Sequence, residues 1–203
     1  DHDFFIKRIP INYNWIIKLS CQKFCTFFIF FYNLYSYGIQ CFFNSLKVQT
    51  GGGIRSFADV QALVDAGASR IVIGSLAVRD PEATKAIFKA FGAEKICLAA
   101  DVIWQNDGFY IAVSGWQEAS SLSLFDFIET YQQDGLLHAL CTDIERDGTL
   151  TGCNRDLYQE VKQKYPKLQL QASGGVSMLA DLDGLTADGV IIGKALYEGR
   201  FSV

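Results

Sequence analysis

The chain has 203 residues, a formal net charge of −4 and an apolar fraction of 50%, enough for one domain with a substantial core. Its lysines and arginines are scattered and form no basic run, so a nucleic-acid partner is excluded. Cys21, Cys25, Cys41, Cys97, Cys141 and Cys153 make no CxxC pair, which reads as reduced thiols in a cytosolic protein without a structural metal. His2 and His138 are too few and too far apart for a metal site.

Composition changes abruptly near Lys47. Residues 1–46 hold nine of the sixteen Phe and four of the nine Tyr, with no Ala, Val or Glu. Within them, the 23 residues between Lys23 and Lys47 carry no charge. That length could span a bilayer, and Lys7, Arg8, Lys18 and Lys23 precede it as in a signal anchor. Asn33, Ser36, Gly38, Gln40 and Asn44 interrupt it, however, which makes a membrane span unlikely. Two other readings are a divergent pair of strands and read-through of non-coding sequence; the last is favoured.

From Lys47 to Val203 the pattern alternates regularly. Short β-branched runs predict strands at 48–51, 70–74, 96–101, 139–143, 168–173 and 189–193, suited to burial on both faces of a parallel sheet. Helices are predicted over 57–66, 81–91, 122–133, 155–164 and, more weakly, 178–185; Ser56 and Asp80-Pro81 provide starts, Gly67 and Gly135 stops. Residues 102–116 read as a β-hairpin turning at Asn106-Asp107-Gly108 and placed like a lid over the strand ends. The implied fold is an α/β (βα)8 TIM-type barrel, incomplete, with six recognisable βα units. Its first two units are replaced by residues 1–46 and its last helix is missing.

One unit occurs twice. Gly51-Gly-Gly-Ile-Arg-Ser56 followed by Ile71-Val-Ile-Gly-Ser75 is echoed by Ser173-Gly-Gly-Val-Ser177 followed by Val190-Ile-Ile-Gly-Lys194. Aligning Gly53 with Gly175 also aligns Asp59 with Asp181. Glycines at strand ends admit close backbone approach, and the N–H groups that follow favour an anion. Two such sites predict a ligand with two phosphates; tight βα turns alone are the competing explanation.

In a parallel barrel, reacting groups sit at the carboxyl ends of strands. Asp101 ends its strand ahead of a hairpin and not of a helix, which favours catalysis over capping. Thr142 and Asp143 end the next strand, followed by Arg146-Asp147-Gly148. Thr142 could instead bond locally, and Asp147 could serve only an Asp-Gly turn.

Taken together, several segments resemble the histidine-biosynthesis isomerase family that acts on phosphoribosylformimino-aminoimidazole carboxamide ribotide. They are Gly51-Gly-Gly-Ile-Arg-Ser56, Val72–Val78, Asp101 with Val113-Ser-Gly-Trp-Gln117, Cys141–Leu150, Ala172–Val176 and Ile191–Gly199. The cyclase subunit of imidazole glycerol phosphate synthase is similar, but Ser114-Gly-Trp-Gln117 and Thr142-Asp-Ile-Glu-Arg-Asp147 fit the isomerase better. The resemblance implies an Amadori rearrangement of an aminoaldose to an aminoketose, with no cofactor or metal. It makes Asp101 the acid, assisted by Thr142 and Asp147, with Trp116 covering the substrate; a hairpin-core role for Trp116 stays open. Gly52, Gly53 and Arg55 with Gly74 and Ser75 would hold one phosphate. Ser173, Gly174 and Gly175 with Gly193 and Lys194 would hold the other. Arg55 could also be a solvated surface arginine.

The family's first strand supplies a second carboxylate, and residues 1–46 contain only Asp1 and Asp3. The general base therefore has no counterpart, and little turnover is expected of this polypeptide. A small-molecule substrate, a cytosolic location and a monomer complete the expectation, with a non-catalytic phosphate-binding barrel fragment as the alternative.

Overall fold

The computed structural model describes residues 49–113 and 118–200; the aromatic-rich segment, the question of a membrane span within it, and Trp116 lie outside the described residues. Six strands run parallel in the order β1 (Gln49–Gly51), β2 (Arg70–Ile73), β3 (Ile96–Gln105), β6 (His138–Asp143), β7 (Gln169–Ser173) and β8 (Gly189–Val190). Two more, β4 (Gly108–Val113) and β5 (Glu118–Ser123), extend β3 antiparallel. The crossovers carry α1 (Phe57–Asp65), α2 (Ser75–Arg79), α3 (Pro81–Phe91), α4 (Leu124–Gln132) and α5 (Arg155–Lys164), and α6 (Lys194–Tyr197) follows β8.

Gln49 and Gln171 exchange two hydrogen bonds, of 2.7 and 3.0 Å. Their strands stand four places apart in the sheet, or about 19 Å if it were flat. The contact requires the sheet to curl on itself, so the architecture is an incomplete (βα)8 barrel. Gln49 precedes Gly53 by as many residues as Gln171 precedes Gly175, so the two amides occupy one repeat position. A local twofold axis passes between them.

Strand alternation divides the side chains into two cores. Outside, Ile71, Ile73, Ile96, Leu98, Leu170 and Ala172 are buried against Phe88, Tyr131 and Tyr158 of the helices. Each large side chain removed from water there stabilises the fold by roughly 1.5–3 kcal/mol. Inside, Val72, Cys97, Ala99, Leu140 and Ile191 form a smaller apolar layer.

Helix starts follow the capping rules. Ser56 and Asp59 form a capping box on α1, Asp80 caps α3 ahead of Pro81, Ser123 caps α4 and Asn154 caps α5. Several elements differ from the sequence reading: β3 runs past Asp101 to Gln105, β8 stops at Val190, and β5 adds a strand beyond the hairpin. Leu122 and Ser123 close β5 before α4 begins, because Ser123 is the extended N-cap (φ −68°, ψ 154°). The predicted helix at 178–185 reduces to a 3₁₀ turn, Leu179–Leu182. The short α2 and α6, with five and four residues, escape periodicity because neither fills two turns. No helix among the described residues is long and apolar enough to cross a membrane.

At the amino ends of the strands, His138 Nε2 lies 2.9 Å from Arg70 Nη2 and 3.1 Å from Glu94 Oε2. One nitrogen cannot accept from the first and donate to the second, and burial, the largest influence, lowers the imidazole's pKa. The neutral ring accepting from Arg70 is thus the stable form. A lowered folded-state value means that the unfolded chain takes up the proton first, so stability is complete above about pH 6.5 and declines as pH falls below it. Thermal unfolding should show a midpoint that drops between pH 7.5 and 5.5, with a smaller drop in His138→Gln; an equal drop in the variant would remove His138 as the cause.

Candidate active site

The register of the parallel strands places Asp101 beside Thr142, and Thr142 beside Ser173. Thr142 and Ser173 stand at the carboxyl ends of β6 and β7. Asp101 does not end its strand as the sequence suggested: it lies near the end of the parallel pairing, and β3 runs on to Gln105 as the first arm of the hairpin. Alternation directs all three to the inner face with Ala99 and Leu140. Thr142 is 1% exposed, and its hydroxyl oxygen has no hydrogen-bond partner among the described residues. A buried hydroxyl left unsatisfied is costly, so Thr142 is set for a polar group that the described residues do not supply. Asp101 is half-buried.

The glycine loops flank this row, and the repeat extends to their dihedral angles. Gly52 and Gly53 have φ of 109° and 70°, and Gly174 and Gly175 have 101° and 81°. Gly74 and Gly193, at the N-caps of α2 and α6, share φ/ψ of −109°/−92° and −108°/−99°. Asp59 accepts from the backbone N–H groups of Arg55 and Ser56, as Asp181 does from Ser177 and Met178. The Arg55 N–H is the largest influence holding the Asp59 carboxyl below its ordinary value.

The two loops differ in their surroundings. A Cβ on Gly52 would meet nothing within 4 Å, whereas one on Gly175 would lie 2.1 Å from the carbonyl oxygen of Gly152. Gly52 is thus clear of the described residues, whereas a Cβ on its repeat mate Gly174 would lie 2.6 Å from the Asp143 carbonyl oxygen, and the second loop is packed beneath the β6–α5 loop. Close approach at Gly175 is to protein, an outcome the sequence reading reserved for a ligand.

Arg55 and Ser75 are exposed; the Ser75 hydroxyl accepts from Arg79 Nη2 at 3.4 Å. Lys194 donates to the carbonyl of Gly148 at 2.8 Å, joining the second loop's flank to the Asp147-Gly148 turn. Asp147 is exposed, and its N–H donates to the carbonyl of Asp143. Asp143 itself points to the opposite face from Thr142. It borders an outer cavity of about 860 Å³ with Trp104, Phe109, Glu145, Arg146 and Asn154. None of the proposed site residues lines that cavity, which separates it from the strand-end chemistry.

The described cysteines offer no nucleophile. Burial pushes Cys97 up to about 12 and Cys153 to about 11 and raises Cys141 further, so thiolate is scarce at neutral pH.

The fold and these strand ends define a βα-barrel protein with two twofold-related glycine loops around one acid. The profile of the family described as histidine biosynthesis protein matches residues 40–202, and the chain belongs to that family. It is similar to 1-(5-phosphoribosyl)-5-((5-phosphoribosylamino)methylideneamino) imidazole-4-carboxamide isomerases. The protein from Actinobacillus succinogenes is 56% identical over 161 residues, covering 77% of this chain and 65% of the relative. That from Pectobacterium atrosepticum is 52% identical over 163 residues (78% and 66%), and that from Klebsiella pneumoniae 52% over 162 (78% and 66%). The chain therefore spans just under two thirds of the length of these curated relatives.

Alanine substitutions should separate the two loops. Gly175→Ala combines a positive φ with a collision against backbone, and should lower unfolding stability in urea by about 2 kcal/mol or more. Gly52→Ala meets only the conformational term, about 1–2 kcal/mol. Equal losses would contradict the packing difference.

Proposed function

We propose that this chain is an aldose–ketose isomerase acting, in the cytosol, on a ribotide with a phosphate at each end. The observation that carries this is the row Asp101, Thr142 and Ser173, set between two loops related by a twofold axis. A ligand with phosphates at both ends fits such a site with its reacting carbons near the axis.

The reaction opens a ribose ring and moves hydrogen from C2 to C1. Asp101, as the acid, delivers a proton to the ring oxygen as the C1–O bond breaks and an iminium forms at the amino-bearing carbon. A base removes the C2 proton to give an enolamine, and tautomerisation delivers the ketone. The unsatisfied Thr142 hydroxyl donates to the oxygen on which charge develops. Asp147, on the exposed turn, assists near the substrate; the covering role that the sequence gives Trp116 falls outside the described residues. Gly52, Gly53 and Arg55 with Gly74 and Ser75 hold one phosphate; Ser173, Gly174 and Gly175 with Gly193 and Lys194 hold the other. No second subunit is required at these positions, so a monomer suffices.

The second carboxylate is the part this polypeptide does not provide from a recognisable strand. Absence of a general base lowers the rate by about two to four orders of magnitude, so the chain should bind the ribotide and turn it over slowly. Calorimetry with the ribotide and a spectrophotometric assay of the ketose would test this. Binding that survives Asp101→Asn while residual turnover disappears is expected. Failure of the unaltered chain to bind would reject the assignment, and unchanged turnover in Asp101→Asn would reject the acid.

A further inference from the structure

The β6–α5 loop, residues 144–153, is built around one buried carboxylate. Asp143 is 4% exposed. Its Oδ1 accepts from the N–H of Glu145 at 3.0 Å, and its Oδ2 accepts from Asn154 Nδ2 at 2.7 Å and lies 3.4 Å from Arg146 Nε. Asp143 thus ties the loop's first residues to Asn154, the residue that caps α5.

From this anchor the loop reaches the second glycine site by three routes. Arg146 Nη1 donates to the Gly152 carbonyl at 3.3 Å, and the Gly152 N–H donates to the Gly175 carbonyl at 2.8 Å. The Asp143 carbonyl oxygen lies 2.6 Å from where a Cβ on Gly174 would stand, and the Asp147 nitrogen 3.4 Å. Lys194 closes the circuit at the Gly148 carbonyl. Within it Leu150 has φ of 60°, a left-handed conformation that a γ-branched residue holds only where its surroundings impose it.

We propose that Asp143 is a positioning residue for the second phosphate site, acting through the β6–α5 loop on Gly174 and Gly175. It does not touch the ligand, because its side chain lies on the outer face of β6. Its carboxylate fixes the loop, and the loop's backbone fixes the height and tilt of the 174–175 peptides. The same loop carries Asp147, so grip on the phosphate and placement of that carboxylate are set together. Displacement of such peptides by even 1 Å is costly to a ligand held by backbone N–H groups. The phosphate part of this inference rests on the proposed function; the mechanical coupling between the loops does not.

Hydrogen exchange and binding of inorganic phosphate, measured on the full chain and on Asp143→Ala, separate these parts. Exchange in 145–152 and in 173–178 should accelerate together by about tenfold, with α1 and α3 unchanged, and phosphate affinity should fall about tenfold. Asp143→Asn, which keeps the acceptor for the Glu145 N–H and loses the charge facing Arg146, should fall between, and it serves as the test where the alanine variant does not fold. Loosening confined to 145–152, with 173–178 protected as before, overturns the proposal, as does unchanged phosphate affinity in a variant whose loops have loosened. If the unaltered chain does not bind phosphate, the assignment of the second site fails, and the exchange pattern still decides the coupling.

Discussion

The pairing of Gln49 with Gln171 is the interaction that makes the rest of the geometry intelligible. Two primary amides inside a small barrel must each find a donor and an acceptor, since an unpaired amide there costs several kcal/mol. Being at the same repeat position, each is the other's complement, and one reciprocal contact satisfies both. It also draws β1 toward β7, so that glycine loops distant in sequence face one volume. Above this pair the interior changes from apolar side chains to Asp101, Thr142 and Ser173. Below it the interior is closed by Arg70, His138 and Glu94, a polar floor with no visible part in the reaction.

The twofold relation is close in the backbone of the two loops and broken in the packing, and the break is informative. Both glycine pairs adopt positive φ, and both following turns are fixed by an aspartate that takes two backbone N–H groups. Yet the second pair lies against the β6–α5 loop while Gly52 faces open space. Under the proposed function the second site is shaped in advance by protein, and a phosphate held there would orient the ligand before its reactive carbons reach Asp101.

The barrel class, the six parallel strands and the capped helices could be read from the chain because each rests on local chemistry. Glycines end strands, Ser56 and Asp80 start helices, and β-branched runs need burial on two faces. The placement of Thr142 followed from a strand end in the same way, whereas β3 carries on past Asp101 to Gln105 because the hairpin continues its pairing. What could not be read depended on contacts between distant segments. The use of Gly175 to admit Gly152, the commitment of Lys194 to Gly148 and the anchoring role of Asp143 join parts of the chain with no common motif. Asp143 left one signal: it follows Thr142 directly, so alternation denies it the inner face. The repeat alignment likewise held the Gln49–Gln171 pair, four residues before each loop's last glycine, but a glutamine carries no signature of its own.

The same symmetry bears on the missing base. The axis that exchanges β1 with β7, and β2 with β8, exchanges β3 with a strand that would stand between β8 and β1. Under the proposed function the mate of Asp101 belongs at the carboxyl end of that strand, on the far side of the axis, where a group could reach C2 while Asp101 attends the ring oxygen. Acid and base held by twofold-related strands face opposite ends of one substrate, so their environments can be tuned apart without sharing a wall. Asp1 and Asp3 are the acidic residues of the first 46 and lie outside the described residues. The described barrel portion thus specifies where its partner group must stand and which strand must carry it.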